Sequence, residues 1–270
     1  MRGTSRTSLA LVERRWDPVI ARAKGKALDL GAELFTVVDA LDATRSLLRG
    51  LSDPSASGDA KATLAADALP GADKRVVAVI QEVARQRWSA DRDLADALEL
   101  LGRSAVLAAA DARGELDTVE DEVFRLIRAL GGQREARAAL TDPKARPISR
   151  ADLAGAILGG QSTAVTLALA RRAAFAPRGH RFVATLGHIA DLIAERRDRQ
   201  VANVLIAAPL STAQTERLRD ILGRVLGREV ELNVTVDPRI VGGLRVQSGA
   251  DVVDATLFAR LAEARRRLAS

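Results

Sequence analysis

His180 and His188 are the only imidazoles in the chain, so metal binding or proton transfer would have to start with them. They read as two positions of one long helix, where their eight-residue spacing sets them about 12 Å apart, too far to share a metal ion. The chain has no Cys, which excludes thiolate nucleophiles, disulfides and cysteine-held metals. Adjacent carboxylates such as Asp121 and Glu122 do not face each other on a helix and cannot work as an acid and base pair. Glu120 and Asp121 near a helix start would instead favour its dipole. Gly242-Gly243 could cradle a phosphate only ahead of a helix, and no G-x-x-x-x-G-K-[ST] run is present. These glycines read better as a bulge or close backbone approach inside a strand. Trp16 and Trp88 read as core plugs at helix ends. Nothing converges as a reacting site must, so no catalytic residue, cofactor or metal is expected.

The elements carrying these residues follow from composition. Apolar residues make up 47% of the chain but aromatics only 3%, so cores must be filled by Leu, Val, Ile and Ala. With Ala, Leu and Arg abundant, most of the chain is expected to be helical. No window approaches the ~18 apolar residues of a membrane span, so membrane association is expected only through a partner. The N-terminal MRGTSRTSLALVERR has no uninterrupted apolar stretch and does not read as a secretory leader. The formal charge is +6, but segments such as SADRDLADALELL mix both signs. That pattern reads as a solvated surface; a nucleic-acid surface would need a compact basic run with interleaved aromatics.

A repeat organises the first two thirds. Pro54 and Pro143 are separated by 143 − 54 = 89 residues, and the same offset pairs Glu33 with Glu122, Phe35 with Phe124, Leu51 with Leu140, Asp53 with Asp142 and Lys61 with Arg150. Two tandem helical bundles are expected, 1–103 and 104–198, with a helix near 90–112 closing the first and opening the second. The first copy should hold helices near 28–42, 44–51, 58–69 and 73–87. In the second, Leu116, Val119, Val123, Leu126, Ile127 and Leu130 share a helical face. Ser149 is placed to cap the helix that follows Pro143. Beyond Arg199 the period changes. VANVLIAA reads as a buried strand, STAQTERLRDILGRVLG as a helix capped by Ser211, and VELNVTV as an alternating strand. VGGLRVQ reads as a third strand, and Asp254 is placed to cap a last helix. This gives a small α/β domain over 199–270 in the order β-α-β-β-α, its first two strands parallel across the helix and the next pair antiparallel across the turn at Asp237-Pro238. The fold class is mainly α.

The run VELNVTVDPRIVGGLRVQSG, Val230 to Gly249, resembles the signature of the ATP synthase delta-subunit family and is similar to the mitochondrial oligomycin-sensitivity-conferral protein. Its ordered positions here are Asp237, Pro238, Gly242, Gly243 and Gly249, with Asp254 in the following VVDATLFARL; LIAAPLSTAQ upstream is similar too. The duplicated bundle, with RWSADRDLADAL and ERRDRQVA, resembles the longer actinobacterial members. The resemblance implies a non-catalytic stator subunit of an F-type ATP synthase, one copy per complex, held peripherally at the cytoplasmic face of the cell membrane. It implies that a bundle takes the N-terminal helix of an alpha subunit in a groove between its first and fifth helices. In the second bundle the groove candidates are Val106, Leu107, Ala110, Val165, Leu167 and Leu169. It also implies that the C-terminal domain binds the C-terminal helix of a b-type stalk subunit, with Leu210, Leu257 and Leu261 as candidates. Interior packing is the alternative for every one of these residues. The extra first bundle is expected to engage a second alpha terminus or the stalk helices. A generic helical adaptor, including one for nucleic acid, is the competing reading.

Overall fold

Ser5, Ser8, Val12, Trp16 and Ile20 recur at three- and four-residue spacing and form the buried stripe of helix α1, Thr4–Ala23. The buried Trp16 indole N–H donates to the Leu101 carbonyl at 3.2 Å, so its burial leaves no donor unpaired. The computed structural model describes residues 3–226, 230–237, 243–248 and 251–254. It divides into two compact units, Met1–Asp191 and Leu192–Ser270.

Unit one is helical. After α1 come α2 (Ala27–Ala43), α3 (Arg45–Ser52), α4 (Gly58–Asp67), α5 (Lys74–Arg85) and α6 (Asp91–Asp111). Then follow α7 (Leu116–Ala129), α8 (Arg134–Ala139), α9 (Pro147–Leu158), α10 (Ala164–Phe175) and α11 (Phe182–Gln200), the unit boundary falling within α11. Helix α6 is buried along nearly its whole length, from Leu94 to Ala110, and packs against both α1 and α2 of the first copy and α7 and α10 of the second. Its closest approach is to α2. A Cβ on Gly31 would lie 2.5 Å from a Val106 methyl and 2.7 Å from the Gly102 carbonyl oxygen, and one on Gly102 would lie 2.6 Å from the Phe35 ring. The missing side chains let the two backbones touch.

Residues paired by the 89-residue offset make the same bonds. Glu33 accepts the Asp73 N–H at 2.7 Å and Glu122 accepts the Thr163 N–H at 3.0 Å, each at the start of the helix that follows. Lys61 donates to the Gln86 carbonyl and Arg150 to the carbonyls of Ala174 and Phe175, each closing the C-terminal end of that same helix. Ser149 does not cap α9, which begins two residues earlier at Pro147. A proline in the first turn lacks only an N–H the helix would leave unpaired, and that outweighs the hydroxyl signal.

Unit two contains β1 (Val201–Ile206), α12 (Thr212–Leu226), β2 (Glu231–Val236), β3 (Leu244–Ser248) and β4 (Asp251–Asp254) in one sheet of order β2-β1-β3-β4. Ser211 accepts the Gln214 N–H while Gln214 accepts the Ser211 N–H, a reciprocal cap that starts α12. Strands β1 and β2 pair in parallel, as expected across a helix. The next expectation is corrected: β3 pairs antiparallel with β1, not with β2. Strand β1 carries Ala202, Val204 and Ile206 into the core and is flanked on both edges, so it takes the centre. Strand β4, which pairs antiparallel with β3, was not anticipated. Asp254 is its last residue, and the expected final helix lies outside the described residues.

Candidate docking faces

The histidines stand differently from expectation. His180 precedes α11, after a turn in which Arg178 and Gly179 take φ of 51° and 81°, and His188 lies on the helix. Their ring centroids are 6.0 Å apart, edge to face. The assumption that one helix carried both was wrong, because the turn folds His180 back beside it. Both are exposed, and among the described residues no group of three His, Cys, Asp or Glu could hold a metal.

The buried charges form a clamp. Arg172 of α10 donates to both oxygens of Glu99 on α6, at 2.7 to 3.2 Å, and to both oxygens of Asp39 on α2, at 2.8 and 2.9 Å. Its guanidinium also lies 4.7 Å from the Phe35 ring centroid. Arg103 adds a second cation to Glu99 at 3.1 Å. Burial disfavours the Arg172 charge, but Glu99 and Asp39 outweigh it and hold the guanidinium above its ordinary value. Burial pushes the Asp39 carboxyl up despite the pull of Arg172. Arg178 repeats the design, bonding Asp96 at 2.8 Å and pairing with Asp42. These bonds neutralise buried charge and tie the second copy to α2 and α6 of the first.

This clamp explains where the groove candidates lie. Val106, Leu107 and Ala110 on α6 and Val165 and Leu169 on α10 are 0 to 1% exposed, whereas Leu167 is 36% exposed. Helix α2 packs along α6, with Gly31 and Phe35 on Gly102 and Val106, and reaches α10 at Arg172 through Asp39 and the Phe35 ring. Sequence periodicity placed these apolar residues on the right helices but could not show that they face the interior of the same chain.

The corresponding helices of the first copy, α1 and α5, carry an open groove of about 450 Å³. Val12, Trp16, Val19, Ala78 and Val79 supply its apolar lining, and Arg15, Lys74, Arg75, Glu82 and Arg85 its polar edge. Arg15 pairs with Glu82 at 2.6 Å and Arg75 with Asp73 at 2.7 Å, the latter holding the Asp73 carboxyl at about 2. Sequence reasoning missed this groove as a site, although its stripe at 12, 16 and 19 was legible. Elsewhere in unit one, Phe124 and Ile148 turn outward.

In unit two, Leu210 packs against the core of Ala202, Val204, Ile206, Leu222, Val230 and Val246, so interior packing describes it. Ile221 and Val236 are exposed. Leu257, Leu261, Pro238, Gly242 and Gly249 lie outside the described residues. Asp237 donates its N–H to the Ile206 carbonyl at 2.9 Å, extending the β1 and β2 pairing. Gly243 is corrected from a mid-strand position: it precedes β3 with φ 84°, a conformation that favours glycine.

Two units, each with apolar side chains turned outward, define a helical connector carrying a small mixed-sheet module. Residues 104–268 match the family described as ATP synthase delta (OSCP) subunit. The chain is 48% identical to the ATP synthase subunit delta of Beutenbergia cavernae over 270 residues, all of both chains. It is 43% identical to that of Kineococcus radiotolerans, covering 99% of this chain and 97% of that one, and 42% identical to that of Thermobifida fusca over the full length of both. The chain belongs to the ATP synthase delta (OSCP) subunit family. It is a non-catalytic peripheral-stalk subunit of an F-type ATP synthase, peripheral to the membrane part of the complex. The family match begins inside α6, whereas the full-length relatives also span the first copy.

Proposed function

We propose that the chain joins the catalytic head to the stalk by two separate grips and so resists rotor torque. Unit one takes N-terminal helices of alpha subunits, and unit two takes the C-terminal helix of a b-type subunit, one copy per complex at the cytoplasmic face. The observation carrying this reading is the division into two compact units, each presenting exposed apolar side chains, in a member of this family. No described helix is long and apolar enough to cross a membrane, so attachment runs through partners. Within unit two, Leu257 and Leu261 stand as the stalk candidates, with Ile221 and Val236 added by their exposure. The bundle boundary near 103 and 104 is a division of function within a continuous helix, since α6 serves both copies. A nucleic-acid adaptor is not favoured in this family; it would bind DNA or RNA with a steep salt dependence.

Calorimetric titration of the full chain with an alpha N-terminal peptide, and separately with a b-type C-terminal helix, tests the proposal. Both should bind, and saturation by one should leave the other's affinity unchanged. A chain that binds neither sinks the reading.

A further inference from the structure

We infer that His180 and His188 form a two-imidazole site for a divalent first-row cation such as zinc, which pins the turn before α11 to that helix. The inference is independent of the docking faces above. Three observations carry it. The turn at Arg178 and Gly179 brings the two rings to 6.0 Å between centroids, edge to face. A zinc ion bonded to one nitrogen of each ring at about 2.1 Å stands about 3.2 Å from each centroid, so rings that share it lie roughly 5 to 6.4 Å apart. The observed separation falls toward the wide end of that window, and both side chains are exposed, so a small rotation brings the angle at the metal to tetrahedral. The ring nitrogens are also available. Among the described residues no hydrogen bond or ion pair engages the His180 ring. Asp191, one turn on from His188, lies 3.7 Å from its Nδ1, beyond a direct hydrogen bond but close enough to favour a proton on that nitrogen. That leaves Nε2 for the metal, the orientation a carboxylate commonly imposes on a metal-bound histidine. Finally, the nearest cations of the turn are committed elsewhere: Arg178 bonds Asp96 at 2.8 Å and pairs with Asp42, and Arg92 donates to the Arg178 carbonyl. Arg181 stands exposed, where solvent screens its charge. No third protein ligand is in reach among the described residues, so waters complete the coordination and the ion exchanges. Its effect is to join a turn in which Arg178 takes φ 51° to the first turns of α11.

Both histidines are exposed, so their variants leave the core intact. The test titrates zinc into the full, untagged chain by calorimetry after chelator treatment. One zinc should bind per chain, and saturation should raise the melting temperature and slow amide exchange over residues 177–182. His180→Ala and His188→Ala should each abolish this binding while melting like the metal-free wild type. Asp191→Asn should weaken it about tenfold. Magnesium, which prefers oxygen ligands, should not compete. A chain that binds no zinc overturns the proposal. So does equal binding by either single histidine variant, which would mark an adventitious ion only.

Discussion

The Arg172 guanidinium is the residue on which unit one is most exposed to failure. It is buried against Glu99 and also bonds the partly exposed Asp39, and removing one partner of a buried pair strands the other's charge. Arg172→Met should lower unfolding free energy by about 3 kcal/mol or more in urea titrations, with Arg103 limiting the loss by retaining one bond to Glu99. Replacing Asp39 by Asn in the same chain should recover part of it, because it removes the carboxylate that loses its cation. Asp73 supplies the pH dependence. Its carboxyl is held at about 2 by the hydrogen bonds and charge of Arg75, below the unfolded value of 3.8. A depressed acid stabilises the fold above its unfolded pKa and loses that contribution as pH falls through the folded one. The melting-temperature gap between wild type and Asp73→Asn should therefore be full at pH 5 and shrink between about pH 4 and pH 2; a constant gap would contradict it. Leu167 and Val165 separate packing from docking. Val165→Asp should unfold the bundle, because it buries an unpaired charge, while Leu167→Asp should not.

At the scale of elements, helix contact depends on small residues. Gly102→Ala would push a methyl into the Phe35 ring, and Gly31→Ala would meet backbone as well as Val106. Each should cost about 1 to 3 kcal/mol by thermal or chemical unfolding, Gly31→Ala the more because backbone yields less than a side chain. The duplicated caps make a paired experiment. Glu122 accepts both the N–H and the hydroxyl of Thr163, whereas Glu33 accepts only the Asp73 N–H among the bonds at that position. Glu122→Ala should thus destabilise by about 1 to 2 kcal/mol, more than Glu33→Ala does. The offset of 89 residues was readable because each repeated polar residue closes a helix end within its own copy, and the same local geometry demands the same residue type twice.

For the whole molecule, the shared helix α6 governs how the chain can be cut. A fragment from residue 91 keeps α6, whereas one from residue 104 begins in its middle. Both uncover the face of α6 that α2 packs along, but only the longer keeps Glu99 for Arg172. The longer fragment should show more helix by circular dichroism and melt at the higher temperature, and both should melt below the full chain. A fragment from 104 as stable as the whole would show that the second copy needs nothing from the first. A rigid joint between the copies suits a part that transmits force, since packed interiors yield little under load.

The sequence alone determined whatever is written within a few residues: helical stripes, strand alternation, the Ser211 cap, the repeat, and the signature from Val230 to Gly249. Such features depend on spacings of two, three or four residues and survive any arrangement of the elements. Tertiary structure decided which stripe meets which. Helix α6 is apolar on every side from Ala105 to Ala110, so its sequence could not say whether Val106 faced a partner or α2. The strand β3 fits either edge of a sheet by its own pattern, and only the central, doubly flanked β1 placed it there. The open groove on the first copy belongs to the same class of fact. Burial is a property of pairs of surfaces, and one surface's residues do not record whether the other is present.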